Sequence, residues 1–217
     1  PFRSPKIARY VFVSDYVQHE FGGDANLEEV IYPGSNLSFF AAGNRDADDG
    51  NTIGMVYRLE RDKLDDNAID AFILAVQRRP RTRAVIVGGG SLLPEFRRRV
   101  AAAGLDARFE FTNYVAYVDL PALYAGMTVF VAPVWKESFG QVSIFARSAG
   151  VRVVGYAIGA IPEIVADPEL VAPFPDSGVL ADIIVPLLDD PAARARISAR
   201  NRERAGAFYS VAARVDR

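Results

Sequence analysis

The chain contains no cysteine and a single histidine, His19, among its 217 residues. Without cysteine it can form no disulfide and no thiolate metal site, and it has no thiolate nucleophile. One histidine is too few for a metal site built from several imidazoles. Any chemistry that this chain performs must therefore depend on carboxylates, cations, hydroxyls and backbone groups.

Long apolar runs and an excess of charge are also absent from the sequence. No apolar run approaches the roughly 20 residues needed to span a bilayer, and no secretory signal opens the chain. The 25 basic and 27 acidic side chains leave a net charge of −2, so we expect no general attraction to nucleic acid or anionic lipid. We expect a cytoplasmic protein, or one that lies peripherally at the inner face of the membrane, without a nucleic-acid partner.

Strand-like runs alternate with helical patterns along most of the chain. Six apolar or β-branched runs predict strands, at residues 52–57, 84–87, 108–111, 128–132, 152–155 and 169–172. Apolar residues at helical spacing fall between successive runs. This alternation predicts an α/β fold with a doubly wound parallel sheet, whose ligand crevice lies at the carboxyl ends of the strands.

The residues before position 50 do not belong to that alternation. Two short strands are predicted at Tyr10–Val13 and Val30–Gly34, with Ser14 or Asp15 as the cap of an intervening helix. Residues 34–50 are rich in Gly, Asn and Asp, which indicates a linker.

We therefore divide the chain into two parts, residues 1–40 and residues 41–217. Because the sequence begins at Pro1 and runs almost directly into a strand, we expect a piece of a longer protein. The first strand should then pair outside the main sheet or leave an apolar edge exposed, and an exposed edge favours self-association.

Two charged motifs follow predicted strands at the expected crevice. The first is Gly54-Met55-Val56-Tyr57-Arg58-Leu59-Glu60-Arg61-Asp62-Lys63, and the second runs from Pro133 through Glu137-Ser138-Phe139-Gly140. Fixed cations on such a rim can stabilise developing negative charge. The N–H groups at the start of a helix opened by Gly140 can hold oxygen atoms of a ligand. The alternative for the cations is a solvated loop, and the alternative for Glu137 is a helix cap.

The spacing Gly-x-x-x-Arg-Leu-x-x-x-Lys and the sequence Pro-x-x-x-Glu-Ser-Phe-Gly resemble the donor-binding half of the retaining GT-B nucleotide-sugar glycosyltransferases, the family called glycosyl transferases group 1. The resemblance covers residues 51–217 almost continuously and implies a Rossmann-like C-terminal lobe that binds a nucleotide sugar. Residues 8–40 resemble the end of the family's N-terminal lobe, which binds the acceptor. The resemblance therefore implies that residues 1–40 are a remnant of that lobe and that residues 41–217 are the donor-binding domain.

The resemblance also implies roles for individual residues. Arg58 and Lys63 would neutralise the diphosphate leaving group without a metal ion, and Glu137 would accept hydrogen bonds from sugar hydroxyls, so these three form the predicted catalytic set. The predicted donor-contacting residues are Gly54, Gly89, Asn113, Tyr114, Val115, Ser138, Phe139, Gly140, Gln141 and Phe145. Asn113 stands where the family has glycine, and Asn tolerates the left-handed backbone conformation well. No cofactor is expected beyond the donor substrate.

Phe145 departs from the family pattern, which has a second glutamate at this place to hold the ribose hydroxyls. A phenyl ring cannot accept those hydrogen bonds, and losing such a charged pair costs about 1.5 to 3 kcal/mol of donor binding. Phe145 could instead be ordinary core. Three alternatives stay open: another group binds the ribose, the donor is unusual, or the protein is a weak or inactive relative. The neighbouring helical positions offer only the neutral side chains of Gln141, Ser143 and Ser148.

The glycines Gly88, Gly89 and Gly90 after a strong strand admit a second interpretation, a dinucleotide-binding loop. The third glycine of that fingerprint would be Leu93, however, and the loop does not open the first βαβ unit. An oxidoreductase is therefore disfavoured.

The resemblance thus implies a hexosyltransferase-like domain that transfers a sugar from a nucleotide sugar with retention. Its acceptor, a glycan, a lipid-linked molecule or a small molecule, would be bound by an N-terminal lobe that this chain lacks. Weak or no turnover is therefore expected from the fragment alone. The rival hypothesis, favoured by Phe145, is a noncatalytic module that binds a nucleotide sugar or another protein.

Overall fold

The N-terminal residues form a small unit beside the main sheet. The structure, a computed structural model, describes residues 8–23, 26–43 and 48–215. Strands β1 (Tyr10–Phe12) and β2 (Glu28–Val30) pair in parallel as a separate two-stranded sheet, and helix α1 (Asp15–Phe21) connects them. The prediction that the first strand pairs outside the main sheet is confirmed.

Strand β2 lies about two residues before its predicted position. Hydrophobicity favours the run that starts at Val30, but two backbone hydrogen bonds fix the register with β1. The N–H of Tyr10 donates to the carbonyl of Leu27 at 2.7 Å, and the N–H of Ile31 donates to the carbonyl of Phe12 at 2.9 Å. Pairing with β1, and not local hydrophobicity, therefore sets the bounds of this strand.

The remaining strands form one parallel sheet of six strands. They are β3 (Thr52–Val56), β4 (Arg83–Val87), β5 (Phe109–Asn113), β6 (Val129–Ala132), β7 (Arg152–Tyr156) and β8 (Val171–Ala172). Their order across the sheet is β5-β4-β3-β6-β7-β8. The chain moves outward from β3 in one direction and from β6 in the other, so the switch point lies between these two strands. The predicted doubly wound parallel α/β fold is confirmed.

Helices connect the strands and follow the last of them. They are α2 (Leu37–Ala41), α3 (Asp70–Arg78), α4 (Leu93–Ala102), α5 (Leu120–Gly126), α6 (Gln141–Ser148), α7 (Ile161–Val165), α8 (Ser177–Asp189), α9 (Pro191–Tyr209) and α10 (Val211–Val215). Among the described residues, none of the helices has the length and hydrophobicity required to cross a bilayer.

The centre of the sheet is the core of the molecule. Strands β3, β6 and β7 are buried at every position. Burial on both faces explains why these strands are nearly continuous apolar runs instead of alternating ones. The edge strand β5 is only partly buried. The crevice at the carboxyl ends of β3 and β6 is therefore built on the most deeply buried strands of the fold.

Helix α2 corrects the prediction of a linker between residues 34 and 50. Phe40 is fully buried, and its ring stacks on the ring of Phe145 with the centroids 3.9 Å apart. Gly, Asn and Asp around the helix indicated a linker, but the apolar residues among them supply a packing face. Residues 44–47 of the predicted linker lie outside the described residues.

A buried arginine fastens α7 to α6. Arg147 is 1% exposed, and its guanidinium donates hydrogen bonds to the carbonyls of Ile164 and Val165, the latter at 2.7 Å. Burial lowers the pKa of Arg147 to about 10, so the group is still charged at neutral pH. These bonds satisfy carbonyls at the end of α7, which otherwise have no partner within the helix.

Candidate functional site

Two loops meet at the switch point of the sheet. Strands β3 and β6 are neighbours, so the loops that follow them open at the same edge. The N–H of Trp135, after β6, donates to the carbonyl of Lys63, after β3, at 3.1 Å. The indole Nε1–H of Trp135 donates to the carbonyl of Arg61, also at 3.1 Å. The two predicted charged motifs are therefore joined to each other.

An ion pair links the two motifs. Nζ of Lys63 lies 2.8 Å from Oε1 of Glu137, and the side chains are 29% and 8% exposed. The low-dielectric surroundings strengthen the attraction, while desolvation of the two charges offsets much of it. An anionic ligand that reached Lys63 would compete with Glu137 for its ammonium group.

Glu137 uses one carboxylate oxygen within the protein and leaves the other available. Oε1 also accepts hydrogen bonds from the N–H groups of Ser138 at 3.1 Å and Phe139 at 3.4 Å. Oε2 makes no hydrogen bond within the part of the chain that the structure describes. Both N–H donors precede α6, so Glu137 does not act as the cap of that helix. The free oxygen is a ready acceptor for a hydroxyl group.

Helix α6 begins with a residue that offers no side-chain cap. Gly140 has φ of +75°, and a Cβ added to it would lie 2.5 Å from Cδ1 of Ile164. Both the backbone conformation and the lack of space require glycine here. Because no side chain caps the helix, the N–H groups of Gln141 and Val142 are donors at the positive end of the helix dipole.

Arg58 lies on the rim of the crevice and faces solvent. Its guanidinium pairs with the carboxylate of Asp62 at 2.7 Å, and the two side chains are 63% and 54% exposed. Such an exposed pair contributes about 0 to 1 kcal/mol. Arg58 can therefore exchange Asp62 for a ligand with little loss of free energy. Lys63 is less exposed, and its partner Glu137 is buried.

The turn before α7 supports the backbone of Glu137. The N–H of Ala160 donates to the carbonyl of Glu137 at 3.0 Å. Gly159 has φ of +56°, and a Cβ added to it would lie 1.9 Å from the same carbonyl oxygen. This close approach explains why residue 159 is glycine, and the bond from Ala160 holds the backbone of Glu137 from the side of β7.

Two buried hydroxyls lie near this loop without a hydrogen-bond partner among the described residues. They belong to Tyr57, at the end of β3, and Ser143, in the first turn of α6. Burial raises the pKa of Tyr57 far above its usual range, the negative charge of Glu137 adds to the shift, and the neighbouring hydroxyl of Ser143 opposes it. The phenol is therefore protonated at neutral pH.

The glycine-rich loop after β4 is occupied by a carboxylate of the chain itself. Glu60 accepts a hydrogen bond from the N–H of Ser91 at 3.0 Å and another from its hydroxyl. Gly88 has φ of +127°, and an added Cβ would lie 1.9 Å from the carbonyl of Tyr57. The glycines thus allow the two loops to approach closely, and the loop does not offer an empty phosphate cradle. This arrangement disfavours the dinucleotide interpretation.

Asn113 and Tyr114 lie beside the glycine-rich loop. Asn113 has φ of +59°, which confirms the expected left-handed conformation. A Cβ added to Gly89 would lie 2.8 Å from the ring of Tyr114, and that ring is 70% exposed. The structure thus brings Gly89, Asn113 and Tyr114 together at one end of the crevice. Their contact with a donor stays a prediction.

Phe145 lies in the core beneath the crevice. It is 6% exposed, and one face of its ring stacks on Phe40. The ring of Tyr117 meets it edge-on, with the ring centroids 6.5 Å apart. Helix α2 supplies this cover, which the sequence reasoning missed. Packing thus accounts for the phenyl ring, and a contact between Phe145 and a ribose stays a prediction.

The neutral candidates for a ribose contact differ in availability. The hydroxyl of Ser148 donates to the carbonyl of Leu37 at 2.7 Å and is buried. Ser143 is buried but unpartnered among the described residues, while Gln141 is exposed at the start of α6. Gln141 and Ser143 are thus better placed than Ser148 to accept the role that a glutamate would have.

Gly54 and Val115 lie farther inside the fold than their predicted role suggests. Gly54 is buried within β3, and a Cβ added to it would lie 2.6 Å from Cε of Met127. Its small size therefore makes room for Met127. Val115 is partly buried against the core. A donor contact for either residue stays a prediction.

Two similar proteins are D-inositol 3-phosphate glycosyltransferases. The one from Mycolicibacterium smegmatis is 31% identical over 209 residues, which cover 89% of this chain and 46% of that protein. The one from Corynebacterium efficiens is 29% identical over 198 residues, which cover 82% of this chain and 47% of that protein. This chain spans about half the length of the curated relatives that it matches.

A similar fold occurs in the crystal structure of Anabaena HepE in complex with UDP. The TM-score is 0.84 at 25% identity, and the match covers 94% of this chain and 60% of that one. The fold is that of the GT-B glycosyltransferases. The family model described as glycosyl transferases group 1 matches residues 39–204, which include both charged loops. This chain belongs to the glycosyl transferases group 1 family.

Proposed function

We propose that this chain is the donor-binding domain of an enzyme that transfers a sugar from a nucleotide sugar, with retention at the anomeric carbon and without a metal ion. The observation that carries the proposal is the pairing of Lys63 with Glu137 at the switch point of the sheet, next to the uncapped start of α6. The cation and the N–H groups at the helix start can bind a diphosphate, and the carboxylate can accept a hydrogen bond from the attached sugar.

Each group has its own part in the proposed reaction. Lys63 and Arg58 bind the diphosphate and stabilise the negative charge that develops on it as its bond to the anomeric carbon breaks. The free Oε2 of Glu137 accepts a hydrogen bond from a sugar hydroxyl and so orients the sugar. The N–H groups at the start of α6 bind further oxygens of the donor.

Protein cations take the place of a metal ion in this proposal. Lys63 and Arg58 supply positive charge at the same edge of the sheet. Within the described ranges, no group of three or more His, Asp or Glu side chains is placed to hold a metal. The expected consequence is that a chelator leaves donor binding unchanged.

The acceptor is proposed to bind outside this chain. The matched relatives are about twice as long as the matched region, which supports an acceptor lobe formed by other residues. That lobe would bind a glycan, a lipid-linked molecule or a small molecule. This chain alone would then bind donor and turn it over weakly or not at all.

A second candidate function is a noncatalytic module that binds a nucleotide sugar or another protein. The observation that favours it is Phe145, whose buried ring stands where the family has a carboxylate. Loss of that carboxylate weakens donor binding without affecting the fold. The two candidates differ in turnover, because only the first transfers the sugar of a bound donor when the acceptor lobe is present.

Calorimetry with a panel of nucleosides, nucleoside mono- and diphosphates and nucleotide sugars tests the proposal. We expect one diphosphate to bind at least roughly tenfold more tightly than its monophosphate, because the second phosphate gains a charge-assisted contact. Added chelator should not change the affinity. Equal affinity for the diphosphate, monophosphate and nucleoside would refute the phosphate site, and a loss of binding with chelator would refute the metal-free reaction.

The N-terminal unit leads us to propose self-association. Its sheet has only two strands among the described residues, so β1 and β2 each have an open edge. Val11 and Phe21 are 56% and 65% exposed there. Open edges and apolar side chains favour pairing with a second copy.

Sedimentation velocity tests this expectation. The chain should sediment as a dimer or larger species at high concentration, and the double variant Val11→Ser, Phe21→Ser should shift it toward monomer. Val118→Ser, which removes an apolar side chain that is 70% exposed elsewhere, is the control and should leave the distribution unchanged. A strictly monomeric chain at high concentration would contradict the proposal.

A further inference from the structure

Ser14 connects the N-terminal unit to the loop that carries Glu137. Its hydroxyl donates a hydrogen bond to the carbonyl of Ser138 at 2.6 Å. The same oxygen accepts the N–H of Val17 at 3.1 Å and so caps α1. The residue is 1% exposed. The hydroxyl therefore donates to Ser138, 124 positions away, and accepts from Val17 within α1.

The bond from Ser14 fixes the peptide group that faces the Glu137 carboxylate. The carbonyl of Ser138 and the N–H of Phe139 belong to one planar unit. Ser14 holds the oxygen end of that plane, and its N–H end points at Oε1 of Glu137 at 3.4 Å. Rotation of this peptide would break both contacts together. The orientation of the carboxylate is thus coupled to a residue outside the main sheet.

Ser14 is itself held in place from the other side. The carboxylate of Glu163, on α7, accepts hydrogen bonds from the N–H groups of Asp15 and Tyr16, both at 3.2 Å. The hydroxyl of Tyr32 donates to Oδ2 of Asp15 at 3.0 Å. The first turn of α1 is therefore anchored by contacts that do not involve the Glu137 loop, so it can serve as a fixed support for that loop.

We propose that Ser14 is a positioning residue for Glu137, and that it acts on recognition of the sugar part of the donor. This inference rests on the proposed function. Ser14 reaches the loop after β6, which carries Glu137, and not the loop after β3, which carries Arg58 and Lys63. Its loss should therefore weaken binding of the nucleotide sugar more than binding of the nucleoside diphosphate alone.

The test compares four variants with the unaltered chain. Ser14→Ala removes the hydroxyl, and Ser14→Gly removes it at a smaller cost to the helix cap. Ser14→Thr keeps a hydroxyl that can both donate and cap. Tyr32→Phe is the matched control, because it removes a hydroxyl that interacts with Asp15 and Glu163 beside the first turn of α1. It leaves the two backbone bonds from that turn to Glu163 and the bond between Ser14 and Ser138 intact.

Two measurements are made on each variant. Calorimetry gives the ratio of the dissociation constant of the diphosphate to that of its nucleotide sugar, and amide hydrogen exchange in the free protein gives the protection of the Phe139 N–H. For Ser14→Ala and Ser14→Gly we expect the ratio to fall by about two- to tenfold and exchange at Phe139 to accelerate. Ser14→Thr should restore both values, and Tyr32→Phe should change neither.

The two readouts separate the possible failures. A chain that binds no nucleotide refutes the proposed function, while exchange at Phe139 still decides whether Ser14 positions the loop. Unchanged exchange at Phe139 in Ser14→Gly overturns the positioning role. Equal weakening of diphosphate and nucleotide sugar overturns the link to the sugar, as does an equal effect of Tyr32→Phe, which would assign the change to α1 stability alone.

Discussion

The Phe145→Glu variant is expected to lose roughly 3 to 5 kcal/mol of its free energy of unfolding, the range for removing a buried aromatic side chain. The ring that it replaces is 6% exposed and stacks on Phe40. A carboxylate at this place would also be taken from water without a cation provided for it, which adds to the cost. Chemical denaturation measures the loss. A total stability of about 5 to 15 kcal/mol is typical for a domain, so the change is a large fraction of it.

The same variant distinguishes two accounts of residue 145. Phe145→Leu is the control, since it keeps an apolar side chain and should lose much less stability. Collapse of Phe145→Glu without tighter nucleotide binding places the residue in the core. An intact fold that binds a nucleoside diphosphate more tightly, by up to about 3 kcal/mol, would instead place residue 145 at the ribose and contradict the packing account.

Arg58→Ala and Lys63→Ala are each expected to weaken binding of a nucleoside diphosphate by about 1.5 to 3 kcal/mol, the range for charge-assisted hydrogen bonds. This loss corresponds to roughly 10- to 150-fold in affinity. Arg58→Ala should have little effect on stability, because its pair with Asp62 is exposed. Lys63→Ala should also lower stability, since it leaves the buried Glu137 without its cation.

The control for these two variants is Arg61→Ala. Arg61 lies on the same loop, is 65% exposed and pairs with Asp66 at 2.8 Å. Its removal changes the net charge as the other variants do but takes no cation from the proposed site, so nucleotide affinity should be preserved. Unchanged affinity in both Arg58→Ala and Lys63→Ala would remove the phosphate assignment. An equal loss of nucleotide affinity in all three variants would show that the loss comes from the change in net charge and not from a phosphate site.

The periodicity of the sequence was sufficient to predict the main sheet and the place of its crevice. The central strands of that sheet are local apolar runs, and the longer connecting helices repeat their apolar residues at helical spacing. Because parallel strands open at one edge, the position of Lys63 and Glu137 after two predicted strands was enough to place both motifs at that edge. The 2.8 Å ion pair between them also requires β3 and β6 to be neighbours, which the sequence did not indicate.

Contacts between distant parts of the chain could not be predicted in the same way. Helix α2 is a short helix in a polar stretch of sequence, and Phe40 within it packs on distant rings, among them that of Phe145, 105 positions further along the chain. The sequence indicated that Ser14 or Asp15 caps α1, but nothing local indicates that Ser14 also holds the carbonyl of Ser138. Such contacts depend on how the finished elements pack, and no spacing within a single element encodes them.

The account is tested most directly by mapping where a nucleotide binds. The ¹⁵N-labelled chain is titrated with the nucleoside diphosphate that binds most tightly in the calorimetric panel, and the amide shifts are followed by NMR. The account predicts saturable shifts centred on residues 58–63 and 137–142, the two loops joined by Lys63 and Glu137. Saturable shifts centred elsewhere on the chain, or none at these loops, would contradict it.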